Sequence, residues 1–168
     1  LALQFVKHQT KENCLAAINN NPYAIEFVEN KTYDVCLEAV KIYGNALEFI
    51  EVQSEELCIE AVKSSSEALK YVKNQTKRVC VESIKANLSS IQFVYYYYVN
   101  EIYKDVIGFS RTGILKHIEK TYQNLEICEM SVNHDPNDLL YAKYQSEEMC
   151  IKAIKHDGKL IRYVEPSL

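Results

Sequence analysis

The six cysteines have the widest chemical reach in this chain, since a thiol can form a disulfide, ligate a metal or act as a nucleophile. Their spacing decides among these roles. Cys14, Cys36, Cys58 and Cys80 follow one another at intervals of 22 residues, and Cys128 and Cys150 are again 22 apart. Thiols at a fixed period hold equivalent places in repeated units, and equivalent residues of stacked helices lie roughly 8–10 Å apart. A disulfide tolerates only about 7 Å between Cα atoms. Unpaired, buried cysteines acting as small apolar residues are therefore expected, together with a reducing, cytoplasmic compartment. No Cys-x-x-Cys pair occurs, and His8, His117, His134 and His156 keep no ligand spacing, so no metal is expected. There is no nucleophile motif or spaced acid pair, and four glycines are too few for a phosphate-cradling loop. The expectation is a protein that is not an enzyme, with no catalytic, cofactor-binding or metal-binding residues.

The elements that carry the cysteines follow from the same period. Phe5, Phe27, Phe49, Tyr71 and Phe93 keep it, as do Ala2, Ala24, Ala46 and Ala68 before them and Ala17, Ala39, Ala61 and Ser83 after the cysteines. A fixed period of this size marks a repeat array. Within a unit the apolar residues form two clusters, such as Ala24, Ile25, Phe27 and Val28, then Val35, Cys36, Leu37, Ala39 and Val40. These spacings suit one face of a helix. Thr10, Thr32, Ser54, Thr76 and Ser146 stand between the clusters as N-caps, followed by acids such as Glu12, Asp34 and Glu147. Asn21-Pro22, Tyr43-Gly44-Asn45, Ser64-Ser65-Ser66, Asp135-Pro136 and Asp157-Gly158 supply the other joint. A leucine-rich repeat is the rival at this period, but its Leu-x-Leu strand is missing.

Each unit is thus expected to be a hairpin of one helix of about 8 residues and one of about 11. Helices this short are marginal alone and need stacking. The expected fold is all-α: a right-handed α-solenoid of stacked short helical hairpins, with units near 1–21, 22–43, 44–65, 66–87, 88–110, 111–135 and 136–157 and a last helix at 158–165. It forms a single repeat domain over 1–168, regular at 1–94 and 128–165, with an irregular joint at 95–127. Phe/Tyr, Val, Cys, Leu/Ile and Ala of each unit are expected to make one continuous core.

The beat breaks after residue 94. The place due for cysteine falls on Ile102, and Cys80 to Cys128 spans two periods plus four residues, which distorts the stretch around His117–Gln123. Tyr95, Tyr96, Tyr97 and Tyr98 replace the usual joint. Neighbours on a helix differ by about 100°, so four tyrosines cannot all face inward, and they are the candidate partner-binding residues. The plainer alternative is an irregular joint that merely repacks. Glu38, Glu60 and Glu82, each followed by Lys41, Lys63 or Lys85, make either a solvated face or a mixed-charge strip for a partner.

Composition limits the classes that remain. Acidic residues outnumber basic ones 23 to 19, which gives no reason to expect nucleic acid. No run reaches the roughly 18 apolar residues of a membrane span, so no membrane partner is expected. Four Gly and three Pro are too few for the turns of a sandwich or barrel. Leu1 to Val6 reads as the middle of a motif, which suggests a piece of something longer.

The pattern Ala-Leu-x-Phe-Val, then Gln-Thr-x-x-x-Cys-Leu-x-Ala-Ile, resembles the short helical repeats encoded by giant DNA viruses of amoebae, the mimivirus and megavirus relatives. The likeness covers residues 1–94 well and 128–164 fairly. It implies a viral protein acting in the cytoplasm of an infected cell, with no assigned activity and no functional residue to carry over. The expected function is a non-catalytic repeat scaffold for protein–protein interaction. The alternative is a self-assembling homo-oligomer, paired through end repeats or the tyrosine joint.

Overall fold

Each regular α-helix begins at a polar side chain. Thr10, Ser54, Thr76 and Ser146 accept from the backbone N–H groups of Asn13, Leu57, Val79 and Met149, and Asn124 does the same for Ile127. Thr32 holds the same place without such a bond. The computed structural model describes residues 2–110 and 112–167, without the side chains of Ala2, Tyr96 and Tyr97. Its α-helices are α1 (Lys11–Asn20), α2 (Tyr33–Ile42), α3 (Glu55–Ser64), α4 (Lys77–Ala86), α5 (Tyr96–Val106), α6 (Leu125–His134) and α7 (Glu147–His156).

Six of these helices, all but α5, stop at a single extended residue: Asn21, Tyr43, Ser65, Asn87, Asp135 or Asp157. Its N–H closes the helix, as Asn21 does on Ala17 at 2.8 Å, and its carbonyl opens the next segment, as Asn21 accepts from Ala24 at 2.9 Å. With one residue at the joint and six in the segment, i to i+3 bonds satisfy more of the backbone than i to i+4 bonds would. The first helix of the hairpin, expected to have about 8 residues, is in five hairpins a 3-10 helix of six: Pro22–Phe27, Gly44–Phe49, Ser66–Tyr71, Leu88–Phe93 and Pro136–Tyr141. The last element, expected at 158–165, is the 3-10 helix Gly158–Tyr163.

These segments bury their small and aliphatic residues. Ala24, Ile25 and Val28 are at most 2% exposed, and Ala46, Leu47, Ile50, Ala68, Leu69 and Val72 are equally buried. Phe27, Phe49 and Tyr71 are only half-buried and Phe5 is exposed. The aromatic position, expected in the continuous core, instead runs along the surface beside the buried Ala, Ile/Leu and Val/Ile of its segment. Val, Cys, Leu/Ile and Ala make the core.

The chain divides into two compact units, Leu1–Val94 and Tyr95–Leu168. In the first, α1 to α4 pack in order, the 3-10 helices form a second row, and each of α2, α3 and α4 also rests on the 3-10 helix before it. In the second, α6 packs on α7 and both pack on Pro136–Tyr141. Between α5 and α6 the chain makes three short 3-10 turns, Ile107–Phe109, Leu115–His117 and Lys120–Tyr122. Ile102 fills the place of a cysteine and is fully buried. Among the described residues there is no strand, and no helix is long and apolar enough to cross a membrane.

Lys63 and Lys85 meet Glu60 and Glu82 at 3.1 and 2.9 Å on solvated helix faces. Pairs of this kind add only about 0.2–0.5 kcal/mol each. Glycine matters more at one joint. A Cβ on Gly44 would lie 2.2 Å from the carbonyl oxygen of Ala61 in α3, whereas one on Gly158, at the same place in its repeat, would meet nothing within 4 Å. Gly44→Ala is expected to lower stability by about 1–3 kcal/mol, and Gly158→Ala to leave it unchanged or raise it by less than about 1 kcal/mol. Urea unfolding of both variants checks this, and equal effects would contradict the close approach at Gly44.

Candidate functional site

A carboxamide can donate and accept at once, and the Gln before the N-cap uses both ends. Gln9 Nε2 donates to the Leu3 carbonyl of its own hairpin at 3.3 Å and to the Phe27 carbonyl of the next at 2.9 Å, while Oε1 accepts from the Glu29 N–H at 3.0 Å. Gln53 repeats this with the Tyr71 carbonyl at 3.1 Å and the Lys73 N–H at 3.0 Å. Gln75, only 2% exposed, reaches the Leu69 and Phe93 carbonyls at 3.1 and 2.8 Å. In the second unit Gln123 accepts from Lys143 N–H, and Gln145 binds the Tyr163 carbonyl and the Glu165 N–H. In the second hairpin Lys31 takes this place, and its ammonium donates to the Val28 carbonyl at 2.8 Å. The glutamine bonds tie Gln9, Gln53, Gln75, Gln123 and Gln145 each to the segment of the following repeat, whereas the Lys31 bond stays within its own hairpin.

The cysteines belong to the same arrangement. All six are free and buried. The thiols of Cys14, Cys58, Cys80, Cys128 and Cys150 donate to the Oε1 of the neighbouring Gln at 3.4 to 3.8 Å. They are more than the apolar fillers expected. Burial pushes Cys58 up to about 11 and Cys80 up to about 12, so both stay protonated at neutral pH and lack the thiolate that nucleophilic attack requires.

The surface of the first unit carries an aromatic cluster that the period does not reveal. The rings of Tyr23 and Tyr43 lie 5.1 Å apart and their hydroxyls 2.9 Å apart, and Phe49 meets Tyr23 edge-on at 6.3 Å. Tyr23 is 49% exposed, and its hydrogen bond to Tyr43, with burial second, holds its hydroxyl above the usual phenol range. The Lys70 ammonium sits 4.9 Å over the ring of Tyr71. Of the tyrosine run, Tyr95 precedes α5 and is 40% exposed, and Tyr98 is half-buried. The side chains of Tyr96 and Tyr97 lie outside the described residues. Tyr23 and Tyr43 stand where other repeats have Asn45, Glu67 or Ser65. That departure is the sequence signal that could have found the cluster.

In the second unit the break in the period has an interior. Ser131 and Asp138 replace the alanines that other hairpins carry at these places, and both are buried. Asp138 accepts from the Ser131 hydroxyl and from the Leu115 N–H at 2.9 Å, and Asp135 accepts from the Gly113 N–H at 2.8 Å. A Cβ on Gly113 would lie 1.9 Å from the Asp138 carboxyl carbon, so the bare glycine is what admits the carboxylate. Burial raises the Asp138 carboxyl above its ordinary range. The cluster pins the turn at 113–115 to α6 and Pro136–Tyr141. Among the described residues no group of three or more His, Cys, Asp and Glu could hold a metal ion.

Residues 10–53 and 32–77 are similar to a domain of unknown function, DUF4116. The two segments start 22 residues apart, at Thr10 and Thr32, so each match begins at an N-cap position and the pair steps by one repeat. No curated protein matches the chain. No solved structure matches it either.

Proposed function

We propose that the chain is a non-catalytic scaffold of the α-solenoid kind, binding a protein partner through the outward aromatic row of its first unit. The observation that carries this is the Tyr23, Tyr43 and Phe49 cluster. Tyrosines with a solvated hydroxyl and a packed ring are the residues that protein interfaces concentrate, because they add contact area at small entropic cost. Gln9 and Gln53 fix the chain on either side of the cluster, at the Phe27 and Tyr71 carbonyls, so less ordering remains for binding to accomplish. The protonated, buried thiols support a role without covalent catalysis, and six unpaired cysteines suit a reducing compartment.

The test is comparative capture. Wild type is expected to retain a stoichiometric protein from the native cell, and a Tyr23→Ser, Phe49→Ser double variant to lose it while its helical content and Tm stay close to wild type. Retention by that variant, with loss in a Tyr95→Ser, Tyr98→Ser variant, would move the surface to the tyrosine run. Retention by both variants would overturn the reading, as would failure of wild type to retain any stoichiometric protein.

A further inference from the structure

The residue just before the surface aromatic decides what lies against the ring. In two hairpins it is a cation that the chain lays on its own ring: the Lys70 ammonium stands 4.9 Å over Tyr71, and the Arg162 guanidinium 4.9 Å over Tyr163. In the second and third hairpins, 22–43 and 44–65, the same place holds Glu26 and Glu48, beside Phe27 and Phe49. Among the described residues no Lys or Arg stands over either of these rings. Two residues beyond the aromatic the change recurs, with Glu29 and Glu51 where the fourth hairpin has Lys73. All four carboxylates are exposed, and among the described residues none of them forms an ion pair. Lys31, in the same stretch, spends its ammonium on the Val28 and Glu26 carbonyls at 2.8 and 3.5 Å. A shallow groove of about 350 Å³ lies between Glu29 and Glu51, and Phe49, Ile50 and Val52 give it an apolar lining beside Lys31. Val52 is 88% exposed.

Rings and carboxylates side by side select one chemistry. An aromatic face attracts a cation, and the carboxylates around it repel an anion. Arg and Lys fit both parts of such a surface, since the apolar stem can lie on Phe49 and Val52 while the charged head reaches the acids. The spacing is also defined. Stacked helices repeat at roughly 8–10 Å, and residues three apart in an extended polyproline-type chain lie on one side, about 9 Å from each other. We infer that the aromatic row of the second and third hairpins binds an extended partner segment with Arg or Lys at two positions three residues apart, one head at Glu26 and Glu29 and the other at Glu48 and Glu51. The fourth hairpin ends the match, because Lys70 and Lys73 would repel a third cation. The inference rests on the scaffold reading and names the chemistry of the partner that the aromatic row takes.

The probe is a fluorescent peptide with Ser-Arg-Pro-Pro-Arg-Ser at its centre, and its control carries Gln in place of both Arg. Titrated with the intact protein at about 0.15 M salt, the Arg peptide is expected to give a saturable rise in anisotropy, and the Gln peptide to bind at least about tenfold more weakly. This comparison needs no variant of the protein. Glu26→Gln, Glu48→Gln should weaken the Arg peptide by about threefold to tenfold, with helical content and Tm close to wild type, because both side chains are exposed. Glu12→Gln, Glu56→Gln removes the same charge from the first turns of α1 and α3 and should change binding by less than about twofold. Equal binding of the two peptides, or equal loss in the two charge variants, would overturn the inference. So would a dimer of the unmodified chain that Phe49→Ser abolishes, since a second copy would then occupy the row. In the capture from the native cell, a protein lost by Tyr23→Ser, Phe49→Ser and kept by Glu26→Gln, Glu48→Gln would overturn this inference and leave the scaffold reading standing.

Discussion

Gln75→Ala is expected to destabilise the chain by about 3–5 kcal/mol, a large share of the roughly 5–15 kcal/mol that holds a domain together. The side chain is buried, and its removal strips a donor from the Leu69 and Phe93 carbonyls and an acceptor from the Cys80 thiol. An unsatisfied buried polar group costs about 1–3 kcal/mol, and a cavity adds to it. Gln75→Met separates the two effects, since it keeps the volume and loses the bonds. It should recover less than half of the loss. At Gln9, which is half-buried, the same Ala substitution should cost about 1–2 kcal/mol, because water can reach the freed groups. Urea unfolding of the three variants measures these differences. A Gln75→Met variant as stable as wild type would show that packing, and not the bridge between hairpins, is what this residue contributes.

The period, the two helices per unit, the N-caps and the burial of the cysteines were all legible, because each follows from residue type at fixed spacing. The winding of the shorter helix was not, since a six-residue segment with apolar residues one and three apart fits an α-helix and a 3-10 helix equally. Phe27, Phe49 and Tyr71 were misplaced as well, since a shared period marks equivalent places without saying that those places face inward. Gln9, Gln53 and Gln75 were visible in the repeat pattern, yet their bonds run to carbonyls 18 residues ahead, and no local rule assigns a partner at that distance. The irregular stretch was located by arithmetic, while its cause was hidden. Asp138 occupies an alanine position, and only the fold shows that the inserted turn supplies the N–H groups that make a buried carboxylate tolerable there.

Asp138→Ala would restore the residue of the regular repeats, and it is nevertheless expected to cost about 2–4 kcal/mol at pH 7. It leaves the Leu115 N–H buried without its acceptor and deprives the Ser131 hydroxyl of its partner. The loss should also depend on pH. Burial holds the folded carboxyl above its ordinary value of 3.8, and the like charge of Asp135 acts in the same direction, while the Ser131 hydroxyl and the Leu115 N–H oppose them. The folded chain thus binds this proton more tightly than the unfolded chain does. The stabilisation linked to it is complete below about 3.8 and is lost as pH rises from there through the folded value. The gap between wild type and Asp138→Ala should therefore be wider at pH 4 than at pH 7, since the variant lacks this proton and groups remote from it cancel in the difference. His117 faces the same carboxylate, and burial lowers its own proton affinity, so it is largely neutral at pH 7 and gains charge toward acid. A His117→Gln background removes that contribution and should leave the widening in place. Urea unfolding at both pH values measures it, and a gap that narrows toward acid would mean that hydrogen bonding to the ionised carboxylate outweighs its burial.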